Sequence, residues 1–211
     1  LVMAGPTRDF WQQRFVANET PWDRGTASPQ LATWLASGTL APCRILVPGC
    51  GGGHEVVALA RAGFDVTALD YAPAAITLTR ERLGQANLRA TLVQADALEW
   101  QPAAPFDAIY EQTCLCALHP EHWRAYADRL DAWLAPGGRL YSLWMQVFRS
   151  GAAEGLVEGP PYHCDINALR ALFLSSRWEW PPPPYTRVLH PRGWAELAVV
   201  LVHRMATAAS A

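Results

Sequence analysis

The chain has 211 residues, of which 51% are hydrophobic and only 17% charged, with a formal net charge of -2. That length suits one domain with a well-buried core, and the composition excludes a disordered chain. With no basic run there is no electrostatic basis for non-specific nucleic-acid binding, and no apolar stretch is long enough to span a membrane.

In chain order, Leu1–Thr7 reads as a loose terminus without the basic and apolar regions of a signal peptide. Asp9–Val16 reads as a helix with Asp9 as its cap, and a turn-rich stretch carrying Trp22 follows. Ser28-Pro29 opens a second helix, Gln30–Ser37, which Gly38 stops. Alternation then begins. Strands are expected at Arg44–Val47, Asp65–Leu69, Ala90–Gln94, Phe106–Glu111 and Arg139–Trp144. The helices between them are His54–Arg61, Pro73–Leu83 and Glu121–Leu134, and Pro136-Gly137-Gly138 makes the turn into the fifth strand. This order predicts an α/β fold with a parallel sheet and helices on both faces. Leu169–Leu174 reads as helix, Thr186–His190 as a strand, and Glu196–Arg204 as a long β-branched strand that closes the sheet. The 5 cysteines are an odd number without framework spacing, which points to a reduced, cytoplasmic protein. Cys114-x-Cys116 is too close for a redox or zinc pair and reads as buried small hydrophobes.

The chemistry centres on Val47-Pro48-Gly49-Cys50-Gly51-Gly52-Gly53-His54-Glu55, four glycines in five residues between a strand and a helix. Glycine admits positive φ and close approach of a ligand, and the helix start offers unpaired N–H groups. Together they predict a nucleotide-type cofactor at the first strand–helix turn. The spacing is Gly-x-Gly-x-Gly, as in S-adenosylmethionine (SAM) sites. His54 occupies the place of the dinucleotide's third glycine, and the Lys-Ser/Thr of a phosphate loop is missing. Asp70, at the end of the second strand, is placed to accept the ribose hydroxyls, or to cap the next helix. Asp96, at the end of the third, is placed to accept the adenine amino group while Ala97 N–H donates to the ring. This second acid favours SAM over a nicotinamide cofactor. Glu111 and Gln112 end the fourth strand over the crevice. Glu111 is a candidate partner for the methionine ammonium, a candidate base, or a surface residue. Many SAM enzymes have an acid where this chain has Val47.

Phe10-Trp11-x-x-x-Phe15, Thr20-Pro21-Trp22-Asp23-Arg24-Gly25, the Val47–Val56 glycine loop, Ala68-Leu69-Asp70 and Gly159-Pro160-Pro161-Tyr162 resemble the thiopurine S-methyltransferase family. The resemblance is strongest to its branch of thiol and halide methyltransferases. The Val-Pro before the first glycine is itself what that family looks like. The resemblance implies a class I methyltransferase of Rossmann-like fold, one domain over 1–211. Its mostly parallel sheet would have seven strands (about 44–211), with an N-terminal helical lid (about 8–40) closing over SAM, in a monomer. It places cofactor contacts on Trp11, Phe15, Trp22, Gly49, Gly51, Asp70, Asp96, Ala97, Glu111 and Gln112.

Methyl transfer from a sulfonium to a soft nucleophile gains from alignment and exclusion of water, which the aromatic faces of Trp11, Phe15 and Trp22 suit. A thiol or halide acceptor needs no strong base. His163 and Tyr162, beside the Gly-Pro-Pro segment, are the remaining catalytic candidates: a proton acceptor or a surface histidine, and a pocket wall. Thus a small-molecule or inorganic-anion acceptor is expected, with no metal, nucleic acid or membrane partner. The alternatives are O- or N-methylation, which needs a base that the sequence does not name, a SAM binder without turnover, and a nicotinamide oxidoreductase.

Overall fold

The computed structural model describes residues 4–205. Eight strands form one sheet in the order β3-β2-β1-β4-β5-β8-β6, with β7 also on β8. β1 (Arg44–Pro48), β2 (Asp65–Asp70), β3 (Thr91–Gln94), β4 (Phe106–Gln112) and β5 (Leu134–Gln146) run parallel, and β8 (Ala195–His203) is antiparallel to β5. Where seven strands are expected from the resemblance, β6 (Trp178–Glu179) and β7 (Thr186–Leu189) divide the outer edge of β8. β7 pairs with Ala195–Ala198, and β6 with Val202 and His203. The proline run 181–184 lies between them and donates no backbone N–H, so one continuous strand cannot form there.

Each face carries its own apolar layer. On one, Leu31 and Trp34 of α2 (Pro29–Ala36), Val56 and Leu59 of α3 (His54–Arg61) and Ile76 of α4 (Pro73–Gln85) pack on Ile45, Ala108 and Tyr110. On the other, Tyr126, Leu130 and Trp133 of α6 (Trp123–Trp133) and Leu169 of α7 (Ile166–Leu172) pack on Ile109, Leu140 and Trp144. Side-chain alternation along β4 and β5 feeds both layers.

α1 (Arg8–Val16) has no fully buried residue and is capped by Thr7, not Asp9. It is held over the start of α4, where Ala74 N–H donates to Gln12 Oε1 (2.8 Å). Of the expected loose terminus, Leu1–Met3 lies outside the described residues. Gly5 packs against His119. Two further differences bear on the site. A short helix, α5 (Cys114–Ala117), follows β4. α6 stops at Trp133, and β5 begins at once with Leu134 on Phe106, then slips register across the Pro136-Gly137-Gly138 turn. No described helix is long and apolar enough to cross a membrane.

Candidate active site

The glycine loop is forced by its neighbours. Gly49 has φ +59°, and a Cβ there would lie 2.9 Å from Cys114 Cβ; at Gly53, φ +78°, it would lie 2.5 Å from Thr79 Oγ1. Left-handed backbone and these contacts leave room only for glycine. Cys50 N–H donates to Leu69 O and Thr79 Oγ1 to Gly51 O, each at 3.0 Å, so the loop is tied to β2 and α4.

A cleft of about 610 Å³ opens here, at the carboxyl ends of β1, β2 and β4, within the range of small-ligand sites. Its wall includes Gly49, Gly51, Asp70, Asp96, Ala97 and Gln112, with Trp11, Phe15 and Trp22. Asp70 spends one oxygen on Gly51 N–H (3.0 Å) and the other on Ala72 N–H (2.9 Å). The Ala72 bond closes a turn ahead of α4, whose N-cap, Ala72, receives no side-chain cap, so Asp70 is a cleft residue and not the helix cap. Burial raises its pKa, against the two N–H donors. Asp96 accepts Leu98 N–H on Oδ1 (2.8 Å). The rings of Trp11 and Phe15 meet Trp22 edge to face, with centroids 5.3 and 5.8 Å apart. Two carboxylates at neighbouring strand tips, a close-approach backbone and an aromatic roof fit SAM in kind and in size.

Three candidates do not reach the cleft. Glu111 is 1% exposed and projects into the opposite layer, because Tyr110 and Gln112 take the cleft side of the strand. Its Oε1 accepts Leu115 N–H (2.7 Å), its Oε2 has no partner, and burial pushes the carboxyl up to about 7. It is not a surface residue, and it does not line the cleft. Tyr162 is buried in the α6-side layer behind Gly159, its ring 5.5 Å from His119. Gly159, Pro160 and Pro161 line the cleft in its place. His163 is exposed, and its Nδ1 accepts Val147 N–H (3.2 Å).

Other residues were not foreseen. Asp23 lies 3.0 Å from His54 Nε2 and 3.7 Å from Arg82 Nη2, and the His54 ring beside it leads in lowering its pKa. Arg24 donates to Leu189 O (2.9 Å) and to Glu196 Oε2 (3.0 Å). His190 Nδ1 accepts Arg192 N–H (3.2 Å), so its Nε2 carries the proton facing Trp22 O (3.1 Å). Burial lowers the His190 pKa, consistent with a neutral ring. Glu55, also in the cleft wall, accepts Ser28 N–H (3.0 Å), and burial raises its pKa. Asp23 and Arg24 were legible only as parts of the Pro-Trp-Asp-Arg-Gly motif. Nothing local marked Glu196. Cys50, Cys114 and Cys116 line the cleft, and burial pushes all three thiols well up.

The sequence profile of the thiopurine S-methyltransferase (TPMT) family matches residues 6–200. A probable thiol methyltransferase 2 of Arabidopsis thaliana is 31% identical over 94% of this chain and 79% of its own length. A thiocyanate methyltransferase 1 of the same plant is 32% identical over 78% and 70%, and a thiopurine S-methyltransferase of Legionella pneumophila (strain Corby) 30% over 72% and 74%. Among solved structures, a Burkholderia thailandensis 1,6-didemethyltoxoflavin-N1-methyltransferase with bound S-adenosylhomocysteine shares the fold. Its TM-score is 0.72 at 20% identity, covering 94% of this chain and 87% of that one. The chain belongs to the thiopurine S-methyltransferase family of SAM-dependent methyltransferases.

Proposed function

We propose that this enzyme methylates a small soft nucleophile: a thiol, a thiopurine-like thiol, a selenol, thiocyanate or a halide. When bound, SAM supplies a methyl carbon on a sulfonium. The chain's part is to hold and dry the site. Asp70 accepts the ribose hydroxyls, Asp96 the adenine amino group, and Ala97 N–H meets the ring. The Gly49–Gly51 backbone takes the amino-acid tail. Trp11, Phe15 and Trp22 exclude water from the sulfonium side and keep the acceptor in line.

One observation carries the reading: three titratable groups in the cleft wall, His54, Glu55 and Asp70, already face partners within the protein. His54 faces Asp23, Glu55 holds Ser28 N–H, and Asp70 holds two backbone donors. Such a site suits an acceptor that needs little deprotonation. A thiol of pKa ~8.5 is already partly ionised at neutral pH, and a halide or thiocyanate carries its charge unaided. The reading extends to a monomeric cytoplasmic enzyme, one domain over 1–211 with 8–40 as its lid, without nucleic-acid or membrane partners. The five unpaired cysteines, at home in a reducing compartment, support it.

O- or N-methylation has one feature in its favour, the buried Glu55 carboxyl in the cleft wall, whose raised pKa would suit a base. Assaying iodide, hydrosulfide, an aromatic thiol and a phenol side by side separates the two. Turnover of the first three with little of the phenol is expected, and phenol as the fastest acceptor would reverse the assignment.

A further inference from the structure

Glu196 is 0% exposed, yet the cleft's polar wiring meets on it. One carboxylate oxygen accepts Arg24 Nη2 (3.0 Å) and the other Gln112 Nε2 (3.0 Å). The Arg24 side chain is itself only 9% exposed. A carboxylate can only accept, so Gln112 must turn its nitrogen toward Glu196. Its Oε1 then accepts Tyr110 O–H (2.8 Å). The amide is thereby fixed, with one further N–H not spent on Glu196 on a residue that lines the cleft. On its other side Glu196 secures, through Arg24, the segment that carries Trp22. The same segment is held by His190, next to the Leu189 carbonyl that Arg24 also binds.

The place of Glu196 in the sheet separates it from the Asp70–Asp96 end of the cleft. β8 lies two strands beyond β4 on the side away from β2 and β3, whose tips carry Asp70 and Asp96. We propose that Glu196 is the positioning residue of the acceptor side, joining the Gln112 floor and the Trp22 roof into one geometry. The proposal rests on the methyl-transfer reading and deepens it. A buried ion pair is weak grounds for stability by itself, whereas fixing one arrangement is a role that it can fill.

The test compares the unaltered enzyme with Glu196→Gln, Arg24→Met and the double variant, using SAM and thiophenol. Glu196→Gln keeps the shape, but its amide can also donate, so the Gln112 amide loses its imposed direction. We expect KM for thiophenol to rise about tenfold and KM for SAM to stay within about twofold. The double variant should be no worse than the poorer single one, because both act through one contact. Hydrogen exchange in the protein loaded with S-adenosylhomocysteine gives a readout independent of the acceptor. Exchange in Glu196→Gln should quicken about tenfold at residues 22–25 and stay unchanged at 51–55. Equal rises in both KM values, additive losses, or unaltered exchange at 22–25 would overturn the role. If the unaltered enzyme binds S-adenosylhomocysteine but leaves thiophenol untouched, the acceptor reading fails, and exchange alone decides Glu196.

Discussion

The two ends of the cleft are built in opposite ways. The cofactor end comes from short local units, strand–glycine turn–helix and strand–acid, whose carboxylates sit on backbone N–H groups a few residues away or on the next strand. The proposed acceptor end ties Arg24 and Gln112 to Glu196, and His190 to the Trp22 carbonyl, across separations of 84 to 172 positions. A local unit can be inherited whole and keeps its chemistry. An assembly of distant side chains can change one member at a time.

Three substitutions sharpen the contrast. The largest effect is expected for Asp70→Ala, which strands two backbone donors as well as removing the proposed ribose contact. Cofactor affinity should fall by about 1–3 kcal/mol and unfolding stability by a similar amount, given the cost of unmatched buried groups. Calorimetry with S-adenosylhomocysteine and denaturant unfolding read the two losses separately. Unchanged affinity in a folded variant would break the assignment of this end.

Glu111→Gln probes the residue next to Gln112 on the wrong face for chemistry. Its folded-state pKa is raised to about 7 from 4.5, so the folded protein keeps a proton that the unfolded chain has already lost. Stability therefore falls as pH rises from about 4.5 to about 7, by up to ~3 kcal/mol, then levels off. The variant should flatten that slope and melt higher than the parent at pH 8, with kcat little altered. A collapse of kcat with an unchanged melting curve would return Glu111 to catalysis.

The smallest effect is expected for Asp23→Asn, which takes a charged contact away from His54, directly after the glycine loop, and from Arg82 of α4. A cost of about 1 kcal/mol, near fivefold in KM for SAM, fits a partly exposed charged contact. An effect confined to the acceptor KM would show that the two ends are not separable.

The same contrast explains what was legible in the chain. The parallel strands, the glycine loop, and Asp70, Asp96 and Ala97 at strand tips follow from period, turn chemistry and position, and all of these residues line the cleft. Glu111 was misplaced because a strand end specifies height above the sheet, whereas its face depends on register. Tyr162 and His163 belong to a loop in which Gly159–Pro161, not the two residues after them, line the cleft. Glu196 stood in an apolar strand with nothing nearby to announce it. Its partners, Arg24 and Gln112, are 172 and 84 residues away, and no spacing rule reaches that far.

The cysteines along the cleft have a consequence of their own. A protein that stores an alkylating agent beside its own sulfur atoms risks becoming the agent's first target. Cys50, Cys114 and Cys116 are kept as neutral thiols by their buried setting, and a neutral thiol is a poor attacking group. The fold thereby gives its resident sulfur a smaller ionised fraction than that of a freely solvated thiol.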